Sequence, residues 1–227
     1  MNFLANLSVQ KKLIMLITTT VVGLIGLFII SVNMTNKVFE AANYANTNSI
    51  PSIVLLGKLQ DSYSGVRVRV YQHVLHTDNQ EMHEIENELF QKRKSIDNIL
   101  AEYQKSAISD DKDEIMLKND VELWQKYIVF SDKILELSRA NKSKEAFEYI
   151  LANKQPNQDF KQAIEEHFKY NEDLAAIGAS NALKLKNESV IFQTITILVV
   201  LLLIITLGIF IIKSIITSLD SFKSGLT

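Results

Sequence analysis

Cysteine is absent from the 227-residue sequence, and proline and glycine are scarce, at two and seven residues. Without a thiol there is no thiolate nucleophile, no thiolate metal site and no disulfide. So few turn formers argue against a loop-rich or β fold and leave one built of long helices. The glycines are scattered rather than gathered into a phosphate-cradling loop, and no nucleotide, nuclease or protease motif is present. No acid–base cluster of catalytic character stands out. The sequence therefore predicts a protein that is not an enzyme, has no cofactor or metal, and does not bind nucleic acid.

What is present becomes legible when the formal net charge of −2 is divided by position. The flanks carry Lys11, Lys12, Lys213, Lys223 and Asp220 and are net basic, whereas Met34 to Glu188 is net acidic. Two runs between them, Leu13 to Val32 and Val190 to Ile212, contain no charged residue. Each is long enough to cross a hydrocarbon core of ~30 Å at ~1.5 Å rise per residue. Short basic flanks stay on the cytoplasmic side, so both termini are expected there and the middle outside. The first run exceeds the apolar core of a signal peptide, and Ser31-Val32-Asn33 is a poor cleavage site, so it reads as a retained anchor. The expected organisation is a cytoplasmic N-terminus over 1–12, a membrane helix over 13–33 and an extracytoplasmic domain over 34–188. A second membrane helix over 189–212 and a cytoplasmic tail over 213–227 complete it.

Between the runs, apolar residues recur at helical spacing. Ile53, Leu56, Leu59, Tyr63, Val66, Val70 and Val74 form one stripe, ending near Thr77-Asp78-Asn79. Asp78 is placed to cap the next helix, with Glu81 as reciprocal partner in a capping box. That helix carries Ile85, Leu89, Ile96, Ile99, Leu100 and Tyr103, and the break at Ser106–Lys112 leads to an acidic helix start at Asp110, Asp111, Asp113 and Glu114. A third helix is predicted through Ile115, Val121, Trp124, Ile128, Ile134 and Leu137. Ser143 is the expected cap of a short piece, Lys144–Leu151. The last helix, carrying Phe160, Ile164, Phe168, Asn171 and Leu174, is expected to extend above a kink at Pro156 and to run into the second span. Entry and exit on one side of a membrane require an even number of crossings. The predicted fold is all-α, an up-down-up-down four-helix bundle between two transmembrane helices.

The order of local motifs resembles the receptor end of methyl-accepting chemotaxis proteins with a four-helix-bundle sensory domain. The resemblance is carried by Asn6-Leu-Ser-Val-Gln-Lys-Lys-Leu13 ahead of the first span, Ile50-Pro51 at the base of a long helix, and the connection Asn141-Lys-Ser-Lys-Glu-Ala146. After the second span, Ile215-Ile-Thr-Ser-Leu-Asp-Ser-Phe-Lys-Ser-Gly-Leu226 resembles the start of a HAMP-type signalling helix, with Ser218 where many such helices have proline. The resemblance implies a receptor of the bacterial inner membrane, homodimeric, that senses a small molecule or a ligand-loaded carrier protein. Chemotaxis kinase and adaptor would be reached only through a cytoplasmic part beyond Thr227. The same sensor on a histidine kinase or cyclase, or a ligand-free membrane scaffold, are the alternatives.

Arg67 and Arg69 are the leading candidates for ligand contact. On a helical wheel Arg67 lies beside the apolar stripe near Tyr63, and Arg69 on the other flank with His73. The planar guanidinium fork suits carboxylates through paired charge-assisted hydrogen bonds, and related bundles bind small anions with arginines on this helix. The alternative is a pair of solvated or ion-paired arginines. Helix lengths bring 153–157 of the last helix to the level of Arg67, and a proline at 156 would free the carbonyl of Ala152. The expected site comprises Arg67, Arg69, Tyr63, Tyr71, His73, Ala152, Asn153, Asn157 and Phe160, and would take a carboxylate or an amino acid. His73, His76 and His83 have spacing that could serve a metal or a pH response, but histidines near a helix C-terminus are also favoured by the dipole alone.

Overall fold

The structure is a computed structural model that describes residues 7–224, with side chains described as far as 217. The first residue of the Asn6–Leu13 motif and Gly225 and Leu226 of the HAMP-like segment lie outside the described residues. Among the described residues there is no strand. The elements are α1 (Val9–Tyr44), a π-helical turn (Ala45–Ser49), α2 (Ile50–Leu75), α3 (Asn79–Ser106), α4 (Asp111–Arg139), α5 (Ser143–Ala152) and α6 (Gln155–Ser224). They fall into two compact units. One holds α1 up to Ala41 with α6 from Asn181, and the other is Ala42–Ser180.

In the first unit the two helical stretches are long and apolar enough to cross a membrane. Their large apolar side chains, such as Val22, Phe28 and Ile29 on α1 and Ile191, Leu198 and Leu202 on α6, point outward. Such a surface suits lipid, which solvates it where water would not. The stretches meet at Gly23, where an added Cβ would stand 3.0 Å from Val200 Cγ1. Near their ends Lys12 is buried and its ammonium donates to Ser214 Oγ at 2.6 Å.

The second unit is the four-helix bundle, formed by α2, α3, α4 and the first part of α6. Pro51 sits in the first turn of α2. Because proline has no N–H to close the preceding turn, the chain meets it with the π-helical turn at Ala45–Ser49. Asp78 caps α3, accepting from Gln80 N–H at 2.8 Å and Glu81 N–H at 3.0 Å. The reciprocal half of the capping box does not form, because the Glu81 carboxylate turns to His76 Nδ1 at 2.7 Å. Replacing Asp78 by alanine leaves two helix-end donors without a partner. It is expected to cost about 1 kcal/mol, read as a lowered thermal midpoint.

Asp110 caps α4 by accepting from Asp113 N–H at 2.9 Å. Helix α4 ends in a Schellman motif. Asn141 takes the left-handed conformation at φ 58°, and Lys142 N–H reaches back to the Leu137 carbonyl at 3.0 Å. Ser143 is the first residue of α5 rather than its cap, and Lys142 occupies the cap position without a side-chain bond to the helix backbone. Helix α5 does not extend the last helix above a kink. It packs against α4 and α2, and Asn153 and Lys154 separate it from α6. Pro156 therefore lies in the first turn of α6, where no intrahelical N–H is required of it.

The stripe on α2 is buried from Leu56 to Val74, with Ile53 half-buried, and α3 buries Leu89, Ile96, Ile99, Leu100 and Tyr103 as expected from their spacing. On α4 the expected line is displaced. Ile115 and Val121 are exposed, and the inward face is Asp113, Leu117, Asp120, Trp124, Tyr127, Ser131, Ile134 and Ser138. These positions alternate steps of four and three, the period of a bundle seam. Half of them are polar, so a search for apolar residues alone drifts onto the wrong face.

Candidate functional site

Two constellations of polar side chains sit in the bundle, one at mid-height and one at the end where the chain enters and leaves it. The first is built on an aromatic core. Tyr63 of α2 stands edge-on to Tyr127 at 4.9 Å and to Phe160 at 4.8 Å between ring centroids. Trp124 stacks on Tyr127 and tilts against Phe160. Tyr63 is almost fully buried, and its hydroxyl finds partners on the first turn of α6, donating towards Asn157 Oδ1 at 2.7 Å and its carbonyl at 3.0 Å. Burial and the neighbouring Tyr127 push the Tyr63 phenol well above its ordinary pKa, so it is a neutral donor.

Arg67 lies one turn further along α2, its guanidinium carbon 5.8 Å from the Tyr63 ring centroid. Arg67 Nε is buried and has no hydrogen-bond partner. The other three arginines are matched: Arg69 with Glu88, Arg93 with Asp132 at 2.6 Å, and Arg139 with Glu86 at 2.5 Å. Arg67 has no carboxylate partner among the described residues. Beside it a small cavity of about 10 Å³ is lined by Arg67, Tyr71, Tyr127, Ile150 and Asn157 among others. That is room for about one water molecule.

The structure thus gathers Arg67, Tyr63, Tyr71, Asn157 and Phe160 at one level. It places the other expected site residues elsewhere. Arg69 bonds Glu88 and donates to Gln72 Oε1 at 2.9 Å, on the flank facing α3. His73 is fully buried between Ser138 Oγ at 2.8 Å and Glu86 Oε1 at 2.9 Å, and burial holds its pKa below the ordinary value against the opposing pull of Glu86. Ala152 and Asn153 are exposed at the end of α5. His83 stands 3.8 Å from Glu86. Among the described residues no group of three or more histidine, aspartate or glutamate side chains is arranged so that it could hold a metal ion.

The second constellation centres on His167 of α6. Its Nε2 lies 2.7 Å from Asp113 Oδ1 and its Nδ1 2.6 Å from Asp120 Oδ2. His167 and Asp113 are 0% exposed and Asp120 is 1% exposed. Asp113 is richly held: Tyr103 OH donates at 2.8 Å, Asn171 Nδ2 at 2.7 Å and Ser109 N–H at 2.7 Å. Ser109 also reaches Asn171 Oδ1, and Ser52 of α2 bonds the Ala107 carbonyl at 2.5 Å. Tyr170 closes the rim by donating to Asp110 Oδ2 at 2.7 Å, and partial burial with this bond pushes its pKa up to about 12.

Burial opposes charge on His167, but the two carboxylate bonds outweigh it and lift its pKa to about 9. For Asp113 burial is likewise outweighed by its donors, and its pKa falls below the ordinary carboxylate value. For Asp120 burial wins over the single bond from His167, and its pKa rises. This cluster was not anticipated from sequence. The available signal was the seven-residue spacing of Asp113 and Asp120 on the α4 seam, with His167 and Asn171 four apart among the apolar positions of α6.

In sequence the bundle lies between two stretches long and apolar enough to cross a membrane. The family model described as a four helix bundle sensory module for signal transduction matches residues 6–184, and the chain belongs to that family. This agrees with the resemblance to the sensory part of methyl-accepting chemotaxis proteins. The family is a signalling module rather than a catalytic domain. No curated protein matches the chain.

Proposed function

We propose that the chain is the sensory and transmembrane module of a bacterial chemoreceptor, with 34–188 outside the cytoplasm, and that it binds a small carboxylate or amino acid at Arg67. The observation that carries this reading is a guanidinium with no ion pair among the described residues; its Nε is buried without a hydrogen-bond partner, as is that of Arg93, but Arg93 has Asp132. A buried cationic donor without a partner is costly, and an incoming carboxylate supplies what it lacks. Tyr63, Tyr71 and Asn157 offer further polar contacts around the ligand. The cavity has room for about one water, so a ligand must widen the space between α2, α4 and α6. It favours the widened arrangement by its difference in affinity for the two states. Asn157 is in the first turn of α6, so widening displaces the helix that continues through 189–212. Signal would pass as a small shift of that helix.

A homodimer through α2 fits the same reading. Ile50, Val54, Gly57, Asp61, Ser64, Val68, Tyr71 and Leu75 follow steps of four and three along α2, and the apolar members of that line are exposed at 40–81%. A second copy of α2 would cover this seam in the manner of a coiled coil.

The test is thermal unfolding of the full chain in lipid nanodiscs against a panel of amino acids and organic acids. Ligand at about 100 times its Kd adds roughly 2.7 kcal/mol of stability, so a binder raises the midpoint clearly. A shift with one carboxylate, abolished in Arg67→Ala and retained in Arg69→Ala, is expected. A shift that survives Arg67→Ala would remove Arg67 from the site. No shift with any compound would move the reading to recognition of a ligand-loaded carrier protein.

A further inference from the structure

The ionic cluster shares no residue with the cavity at Arg67, and its proton count is unbalanced. His167 turns one ring nitrogen to each of two carboxylates, so with both acids ionised the ring must be an imidazolium. One positive and two negative charges leave the site at −1, closed to water. Asp113 has four donors to share its charge. Asp120 has one: its Oδ1 is buried and has no hydrogen-bond partner.

Among the described residues no lysine or arginine forms an ion pair with it. The groups facing the cluster are Ser52 from α2, Tyr103 from α3, Ser109 and Asp110 from the α3–α4 connection, and Tyr170 and Asn171 from α6. Among the described residues neither Asp113 nor Asp120 pairs with a lysine or arginine. Lys112, next in sequence to Asp113, instead lies over the Tyr170 ring at 4.3 Å.

We infer that Asp120, held by His167, is a proton-binding site, and that the proton is a second ligand of this sensory module, distinct from the carboxylate at Arg67. Taking up one proton from the medium turns the Asp120 carboxylate into a neutral acid and brings the site from −1 to zero. The His167 Nδ1–H bond then ends on a neutral acceptor and loses part of its charge-assisted strength. The Nε2–H bond to ionised Asp113 stays. Because Asp113 and Asp120 are on α4 and His167 is on α6, and because neutralising a buried unshared charge outweighs that loss, protonation tightens the packing of α4 on α6.

The sign of the linkage follows from burial. Asp120 has a raised pKa in the fold, so the folded chain binds this proton more tightly than the unfolded one. The stabilisation is complete below the ordinary Asp value and is lost as pH rises through the folded value. His167 keeps its own proton up to about 9, so acidification acts on Asp120 alone of the pair. Calling the proton a signal rests on the sensory role of the family, and not on the Arg67 site.

The experiment is a pH titration of the full chain in nanodiscs with 13C-labelled aspartate, followed by infrared difference spectroscopy. Hydrogen exchange of α6 around residues 163–171 is measured in parallel and corrected for intrinsic rates. A protonated-carboxyl band is expected above the ordinary Asp range near 3.8, absent from Asp120→Asn and unchanged in Arg67→Ala. With it, exchange on this part of α6 should slow roughly five- to tenfold on acidification, because the closed form binds the proton more tightly than the opened one. In Asp120→Asn, which carries no charge at this position, it should be pH-independent and already slow. A band that appears only in the ordinary Asp range, or that persists in Asp120→Asn, overturns the proton site. Exchange unaffected by a clear protonation overturns its coupling to α6.

Discussion

Replacing His167 by alanine should lower the unfolding free energy by about 3–5 kcal/mol, the cost of removing one member of a buried ionic group and stranding the others. The stranded groups are Asp113 and Asp120, both closed to solvent, 7 positions apart on the same face of α4. Their mutual repulsion would be unopposed. The loss should therefore be larger than the removal of a ring from an apolar core alone would give, and it should be recoverable. Adding Asp113→Asn and Asp120→Asn to His167→Ala removes the buried charge, and most of the lost stability should return apart from the cavity. A purely steric role for His167 would show no such recovery. The pH dependence gives a second handle. His167 has a folded pKa of about 9 against 6.5 unfolded, a difference worth about 3 kcal/mol. That contribution is fully present below about 6.5 and is lost as pH rises through about 9. The gap between wild type and His167→Ala in thermal midpoint should therefore narrow as the medium is made alkaline.

That cluster also marks the limit of what residue patterns reveal here. The two long apolar stretches, the absence of strands among the described residues and the stripes on α2 and α3 could be read because apolar residues alone define them. Asp78 could be read as a cap because its chemistry is local. The face of α4 could be read only at Trp124 and Ile134, since Asp113, Asp120, Ser131 and Ser138 occupy seam positions where a periodicity search expects carbon. Asp113 looked like one more acid at a helix start, where the dipole favours negative charge. What distinguishes it from Asp111 beside it is the histidine brought opposite by α6, a contact 54 residues away in sequence. The Arg67 region was legible for a different reason. Arg67 and Tyr63 are four apart on one helix, so their proximity is fixed by helical geometry, and Phe160 and Asn157 follow from the length of α6. Pro156 misled because the same residue serves a kink or a first turn, and the break at Asn153 and Lys154 decides between them. Glu81 shows the converse: the capping-box spacing is satisfied, yet the nearby imidazole of His76 takes the carboxylate.

Trp124→Ala should be the most damaging change within the aromatic core, at about 3–5 kcal/mol. The indole is 0% exposed and bridges three helices. It lies against Tyr127 on its own helix at 5.8 Å between ring centroids and against Phe160 of α6 at 5.4 Å, and its Nε1–H donates to Asp97 Oδ1 of α3 at 2.8 Å. Alanine removes the largest buried side chain of the bundle. The rings around it are held by one another, so the space cannot close well, and the cavity term adds to the transfer term. For a domain of this size the thermal midpoint should fall by roughly 10–20 °C. Trp124→Phe keeps most of the apolar volume and loses the bond to Asp97, whose carboxylate can turn to water, so a fall of roughly a third of that is expected. The comparison bears on ligand binding as well. Phe160 rests on both Trp124 and Tyr63, and Tyr63 holds Asn157 beside Arg67. A void at 124 lets Phe160 retreat, which widens the space near Arg67 without a ligand. If the proposed site at Arg67 holds a carboxylate, Trp124→Phe, folded and nearly full, should leave the affinity for it unchanged. A midpoint for Trp124→Ala within a few degrees of wild type would show that the core repacks, and that the aromatic ladder does not hold the first turns of α6 in place.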